Sequence, residues 1–581
     1  MSDELTLAAG FPAVDDAVWE AGVAEALKGR SADTLRTTLP EGIEVAPLAT
    51  AASSPAGVVT GRGEPGPWGI RVTAHHPDLA TANGLLLEDL QRGASQLHVR
   101  LDAATRSGTG DGRGIDGVAV VAAAAFSSLL EGVLLDLAPV SLDAGASFLS
   151  AGRSLLALGA DVAEGVAGLL LGADPIGALA ATGSLPQGME QALTDVAVLA
   201  AEANALGGNV RAVAVDTSPY HDAGSTEELD LAIAIATAVA YLRTMVDAGM
   251  SVSDAADQIE FRIPVGVDQF VGIAKLRAIR RLWARVLAVS GADPRPALVH
   301  ASLGASLLTR HDPWGNMLRG SIACFAAGVG GADSVTIPPF DAALGLPGEL
   351  GQRVARNTQL VLQREGHLAR VLDPSAGSHH VESLTDDLAQ AAWATFQKIE
   401  AEGGMVAALV DGHVHEGIAR RLAAREAAVA TRKRPVTGVS EFPLLDERLP
   451  QVEQVEQIVD AHLAPSAFLP RTGPYTHVEP LAPASVAAPF EDLRDLAESR
   501  PSRPTVLSVN LGPLARHTAR ATFAANLFAS GGIEAIGTDG FDTPAAAVAA
   551  LTEAATNLAV ICGDDEQYAE TGAAFVSALK S

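Results

Sequence analysis

The sequence predicts an α/β protein, a closed (β/α)8 TIM barrel followed by a smaller flavodoxin-like unit. Three observations support this. From about Trp68, short apolar or β-branched runs alternate with longer segments of helical pattern, the signature of βαβ units and a parallel sheet. Eight such runs occur before the pattern changes, and eight β/α units over this length suit a closed barrel. After a Pro-rich interval, three more runs with helical stretches between them follow Thr505. An open doubly wound sheet is the alternative that the first rhythm also allows.

Residues 1–60 form an N-terminal arm. In it "AVWEAGVAEALKG" is helix-like, and "TTLPEGIEVAPLAT" is irregular and punctuated by proline. The barrel spans 61–424. Its expected strands are Gly69 to Ala74, Gln96 to Leu101, Val133 to Val140, Gly168 to Ala173, Val210 to Asp216, Ile259 to Ile263, Leu298 to Leu303 and Ser334 to Ile337. Helices are expected at "GVAVVAAAAFSSLLEG" and "QFVGIAKLRAIRRLWARVLAVSG", then at "GQRVARNTQLVLQREG" and "LTDDLAQAAWATFQKIEAEGGM". The most apolar window, "LAIAIATAVAYL" (Leu231 to Leu242), is too short to span a bilayer. Ser225 and Glu228 just before it have capping-box spacing, so it is expected to be a helix buried on more than one side.

Residues 425–504 read as a linker. Solvated helix, "RRLAAREAAVATRKRP", runs into it, and "LAPASVAAPFEDL" is expected to be extended. Residues 505–581 carry strands at Val506 to Leu511, Ile533 to Thr538 and Leu558 to Cys562, the first half of a flavodoxin-like unit. Three strands where that fold usually has five imply a partial domain with an exposed or covered edge.

Composition excludes several classes. Asp plus Glu is 69 and Lys plus Arg 40, a net charge of −29. Such a surface repels phosphate backbones, so no nucleic-acid partner is expected, and an anionic ligand would need a locally basic pocket. Cys324 and Cys562 are the only cysteines, which gives neither a disulfide framework nor a zinc set and suits a reducing cytoplasm. "MSDELTLAAG" has no basic n-region, so no signal peptide and no membrane association are expected.

Four stretches hold residues of chemical interest. The Gly-rich "SGTGDGRG" (Ser107 to Gly114) fits no Walker pattern and does not directly follow a strand, so it reads as a flexible βα connection. In "TAHHPD", His75 and His76 point opposite ways on an extended segment and cannot both chelate one metal without a turn. Surface histidines are the expectation there, and no metal site is expected in the chain. "DTSPYHDAG" places Asp216, Tyr220 and His221 at the end of the fifth strand, where barrel enzymes keep their chemistry. A Tyr–His pair there could do general acid work, or Pro219 could turn it into packing. "VNLGPLARHTAR" sets His517 just beyond an apolar strand, the place where open α/β sheets put ligands.

Several long segments resemble the methylmalonyl-CoA mutase family: "QFVGIAKLRAIRRLWARV", "GELGQRVARNTQLVLQREG", "VLDPSAGSHHVESLTDDLAQAAW", "EAEGGM", "EGIEVAPL" and "RPVTGVSEFP". The resemblance covers nearly the whole chain. It implies a barrel threaded by coenzyme A and a flavodoxin-like cobalamin domain, with methylmalonyl-CoA and succinyl-CoA interconverted by adenosylcobalamin radical chemistry.

Carried over position by position, the same resemblance implies that the chemistry is lost. The family's cobalt-ligand signature, Asp-x-His-x-x-Gly, places His517 on the histidine, but Ala515 stands at the aspartate and Arg520 at the glycine. A ligating imidazole without its carboxylate loses orientation and basicity. The later Ser-x-Leu falls on Cys562-Gly563-Asp564, and the Gly-Gly would fall beyond Ser581. In "PWGIRVTAH", Thr73 occupies the position of the family's tyrosine between substrate and corrin. Ser218 and Pro219 fall on its catalytic Tyr–His pair, with Tyr220 and His221 offset by two. Thr336 and Pro338 fall on substrate-contacting His and Asn, and Val299 and Leu303 on coenzyme-side Arg and Gln.

Scaffold kept and chemistry lost resembles the small, non-catalytic subunit of the family's heterodimeric members. That implies no catalytic residue and no cofactor in this chain, with His517 vestigial. A homologous large subunit would bind adenosylcobalamin, and the arm would wrap that partner. The alternative is an active cobalamin-dependent mutase with a divergent site using His517, Tyr220 and His221. A barrel enzyme unrelated to cobalamin is a third reading.

Overall fold

The computed structural model describes residues 14–50, 62, 66–110, 114, 116–162, 165–454 and 466–581. Eight parallel strands close into a barrel: β1 (Gly69–Ala74), β2 (Gln96–Arg100), β3 (Val140–Asp143), β4 (Leu169–Ala173), β5 (Val210–Asp216), β6 (Ile259–Val265), β7 (Leu298–Leu303) and β8 (Ser334–Thr336). Closure is made where β8 pairs with β1, Ser334 beside Gly69 and Val335 beside Ile70. The open-sheet alternative is therefore discarded.

The third strand was expected at Val133 to Val140 but begins only at Val140. Pro139 has no N–H to give a ladder, and the apolar run before it turns on itself, with Ala138 N donating to Leu134 O at 2.9 Å. Leu134 and Leu137 are consequently exposed. The helix expected through "GVAVVAAAAFSSLLEG" is confined to Ala123–Leu129. Its β-branched start stays extended, and Val118 bridges to Leu101 beside β2.

In the arm, α1 (Asp16–Leu27) is capped by Asp15 and buries only Leu27. Helix α2 (Leu79–Gln91) follows β1 and is capped by Asp78, whose carboxylate accepts from Thr81 N at 2.8 Å. After β5 the chain forms a short helix, α3 (Ser218–Asp222), and then α4 (Glu227–Asp247). Every residue of α4 from Glu228 to Val239 is buried. Among the described residues it is the one helix long and apolar enough to cross a membrane, and 78% of that window lies inside the protein. A helix apolar all round is expected in the centre of a large fold. Its N-cap is Thr226; the Ser225–Glu228 capping box does not form, because Glu228 accepts from Thr226 Oγ1 and Arg421 instead.

Helix α4 packs against α5 (Gln269–Val289), while α6 (Pro313–Val329) lies against β7 and β8, and α7 (Glu349–Leu360) against α6 and β1. Helix α8 (His379–Ala401) is tied to α5 by buried Arg277, which pairs with Asp373 and with Glu382 at 2.7 Å. Helix α9 (His413–Ala430) then leads out of the barrel.

The interval expected to be extended contains α10 (Ala488–Glu498). Proline near its start is tolerated because that N–H has no partner within the helix. The helix turns charge inward: Glu491 accepts from the backbone N–H of Arg310 at 2.6 Å, and Arg494 pairs with Glu447 at 3.0 Å. It is thus a packed element held by ion pairs to the carboxyl-end loop after β7. Beyond it, β9 (Thr505–Asn510) lies between β10 (Glu534–Ile536) and β11 (Ala559–Cys562) in a parallel sheet. Helix α11 (Leu514–Ala529) joins the first two strands, and Leu507, Val509, Leu511, Ala547 and Phe575 form a small core of their own.

Candidate functional site

In a strand, successive side chains alternate between faces, and β2 and β6 alternate polar with apolar. Leu97, Val99, Phe261 and Ile263 face the helices and are fully buried, while His98, Glu260 and Arg262 face the lumen. Glu260 pairs with Arg71 across the barrel at 2.6 Å and with Arg262 at 3.0 Å. Arg262 also donates to Ser141 Oγ at 2.9 Å and Leu142 O at 3.1 Å. These groups come from β1, β3 and β6, so the ion pairs span the barrel axis. Burial opposes ionisation of Glu260, but Arg71 and Arg262 prevail and hold it well below the usual carboxylate range. His98 lies 3.2 Å from Ser141 Oγ and His300 lies 2.9 Å from Ser334 Oγ.

Burial, reinforced by Arg262, pushes His98 down to about 3. Burial with Arg71 drives His300 the same way. A histidine kept neutral in the fold takes up its proton only on unfolding, so its contribution is complete above about pH 6.5 and is lost as pH falls toward 3. In urea titrations, the stability of the wild type relative to His98→Gln is therefore expected to fall by up to about 1.4 kcal/mol per pH unit across that window. A difference independent of pH would refute a neutral His98.

Above this layer the carboxyl-end mouth holds two cavities, of 570 and 470 Å³. Arg100 and Asp116 line both and are paired at 2.7 Å, so they form the partition between them. Arg106 reaches Asp116 at 2.5 Å and Asp143 at 3.7 Å. Burial raises the Asp143 carboxyl, but Arg106 and Arg100 outweigh it and bring it to about 2. In the smaller cavity, burial lifts Asp174 to about 6 even though Tyr241 donates to it at 2.6 Å and the N–H of Gly177 at 3.0 Å.

Thr73, Thr336 and Pro338 line the larger cavity, and Ser218 and Pro219 the smaller. Thr336 spends its hydroxyl on Arg71 O at 2.9 Å. Val299 and Leu303 do not face the lumen as that register implied; both lie in the apolar layer between strands and helices. His75 and His76 are not surface residues either. His76 is buried and accepts from Asp78 N at 3.1 Å, and burial lowers the half-buried His75, which lines the larger cavity. Loops far along the chain, around Asp341 and Glu453, cover them. The Gly-rich loop is described only in part; Gly108 ends a short helix in the left-handed conformation, and residues 111–113 lie outside the described residues.

Tyr220 and His221 sit on α3 but turn away from the mouth. His221 Nδ1 lies 2.7 Å from Asp230 Oδ2, and the Lys275 ammonium joins Asp230 at 2.7 Å, Pro264 O at 2.7 Å and Glu227. His221, Glu227 and Asp230 bring ligand atoms within 4.8 Å of one another, but the Lys275 ammonium already stands among them as their cation. Tyr220 is 1% exposed and its hydroxyl has no partner among the described residues.

His517 lies in the first turn of α11, 2% exposed, with neither ring nitrogen hydrogen-bonded among the described residues. The carboxyl ends of β9 and β11 are bridged over. Arg516 pairs with Asp564 and Glu566; Arg520 pairs with Asp565 at 2.6 Å, donates to Gly563 O at 2.7 Å and covers the Tyr568 ring at 4.9 Å. A corrin tail entering beside His517 would have to displace these groups.

Fold and site together define a (β/α)8 protein with an open mouth and an axis closed by charge. A family model for methylmalonyl-CoA mutase matches residues 58–464. The methylmalonyl-CoA mutase small subunit of Streptomyces virginiae is 42% identical over 100% of this chain and 92% of its own length. That of Propionibacterium freudenreichii subsp. shermanii is 33% identical over 99% and 89%. Methylmalonyl-CoA mutase of Escherichia coli is 34% identical over 42% of this chain and 35% of its own length. The chain belongs to the methylmalonyl-CoA mutase family, among its small subunits.

The lumen network was missed in the sequence although its signal was present. "QLHVR" and "IEFRI" alternate polar with apolar, and in a parallel barrel whose outer face is buried this can only turn the polar set inward.

Proposed function

We propose that this chain is the non-catalytic, structural subunit of a heterodimeric methylmalonyl-CoA mutase, and that a homologous large subunit binds adenosylcobalamin and isomerises methylmalonyl-CoA and succinyl-CoA. One observation carries the reading: an acyl-thioester chain laid along the barrel axis meets the buried Arg71–Glu260–Arg262 ion pairs. Opening them would leave charges unpaired in a low-dielectric interior. Thr73, Ser218, Pro219, Thr336 and Pro338 offer no ionisable group to the mouth.

The residues around His517 do not fit cobalamin. Ala515 supplies no carboxylate to orient the imidazole, and the Arg516 and Arg520 ion pairs occupy the crevice. The sheet order β10–β9–β11 supports reading residues 505–581 as part of a flavodoxin-like unit, with the barrel at 61–424 and the arm at 1–60. A 12-residue helix is marginal by itself in water, and α1 exposes Val18 and Trp19, which suits cover by the partner. Two free, buried cysteines suit a reducing cytoplasm.

The unpartnered nitrogens of His517 favour the second reading, a divergent but active cobalamin mutase. Turnover separates the two. The chain alone is expected to convert no methylmalonyl-CoA and to support full activity on addition of the large subunit. In that complex His517→Ala is expected to leave the rate unchanged; a loss of tenfold or more would establish the divergent site instead.

A further inference from the structure

A third cavity, of 410 Å³, lies outside the lumen, between the start of α6 and the segment that follows α9. Its floor is apolar, made by Val267, Leu307, Leu318, Ile322, Val429 and Val436. Leu318 and Ile322 stand one turn apart on α6, 68% and 39% exposed. Three arginines surround the floor, in a chain whose acidic residues outnumber its basic ones 69 to 40. None of the three forms an ion pair among the described residues. Arg319 donates to neutral oxygens of Thr309, Asn316 and Thr437, and Arg425 to Ser225 O. The exposed guanidinium of Arg434 has no partner among the described residues. Asp312 is the cavity's one carboxylate, and burial together with Glu447 raises its pKa. Burial lowers that of Arg425, and the like charge of Arg434 adds to the effect.

Arg425 and Arg434 repel one another, and Glu227, Asp230 and Glu41 offset burial and this repulsion at Arg425 only in part. Three arginines without an ion pair among the described residues thus converge on one cavity with an apolar floor, which leaves positive charge there for a ligand. The volume falls within the range of about 300–1,000 Å³ typical of small-molecule sites, and an apolar wall with a few charged groups is their usual lining. We propose that this cavity binds a small amphiphilic anion, with an apolar body against Leu318 and Ile322 and a carboxylate or phosphate held by Arg425 and Arg434. Guanidinium suits both anions through paired N–H donors. The site is separate from the barrel mouth, and the proposal stands whether or not the chain turns over a thioester.

Calorimetric titration of the full chain with octanoate, octyl phosphate and 1-octanol tests it. One anion or both are expected to bind with one-to-one stoichiometry and at least tenfold more tightly than octanol, and the two anionic arms decide between carboxylate and phosphate. Arg434→Gln, at an exposed position, is expected to weaken the anion about tenfold and leave octanol unchanged. Leu318→Asp is expected to weaken all three. Octanol binding as tightly as the anions, an unchanged affinity in Arg434→Gln, or no binding of any probe would overturn the proposal.

Discussion

Replacing Glu260 by glutamine is expected to destabilise the chain by about 3–5 kcal/mol, the cost of leaving buried charge without its partner. Glu260 is 1% exposed and is the shared anion of Arg71 and Arg262, themselves 3% and 6% exposed. Removing all three charges together is a different matter, because apolar side chains of similar volume need no counterion. The triple variant Arg71→Met, Glu260→Leu, Arg262→Met is expected to recover most of the loss. Urea denaturation of the single and triple variants measures both. A Glu260→Gln variant within about 0.5 kcal/mol of wild type, the range of an ordinary surface substitution, would mean that the lumen is hydrated and open. The pH dependence has a definite sign. Glu260 is depressed, so its contribution is present above the ordinary carboxylate range and is lost on acidification toward its folded value.

The second large effect belongs to Asp230. It is fully buried and holds the Lys275 ammonium, itself fully buried, and the His221 ring, each at 2.7 Å. Burial raises Asp230, but Lys275 and then His221 overcome it and bring the carboxyl to about 2. Asp230→Asn is expected to cost about 3 kcal/mol, because the amide removes the negative charge that faces Lys275 and His221 in the interior, while Lys275 keeps Glu227 and Pro264 O. The loss should be present at neutral pH and shrink on acidification below about pH 4, as the wild-type carboxylate approaches its own titration. His221→Gln, in contrast, is expected to leave the activity of the two-subunit complex unchanged while lowering stability. Loss of activity with unchanged stability would return a catalytic role to the Tyr220–His221 segment.

Local signals made most of the barrel legible in the sequence. β-Branched runs between helical patterns located β1, β5 and β7 to the residue, and a count of eight indicated closure. Helix α4 was legible because an apolar window without a polar face has to be central. The misread elements depend on partners distant in sequence. A single proline shifted β3, and α10 forms where an extended segment was expected because Arg310, His311 and Glu447 receive its inward charges. His75 and His76 are buried by loops more than 200 residues away. The lumen network joins residues 189 positions apart, so no local window displays it. The site residues were legible chiefly as departures from a family pattern, and the charge that closes the barrel axis emerged only when the strands were closed around Glu260.

The most direct measurement is the visible absorption spectrum of the isolated chain after incubation with adenosylcobalamin and desalting. An empty spectrum is expected, since the crevice beside His517 is bridged by arginine–carboxylate pairs and the imidazole has no bracing carboxylate. Retention of one corrinoid per chain, with its band altered by His517→Ala, would contradict it.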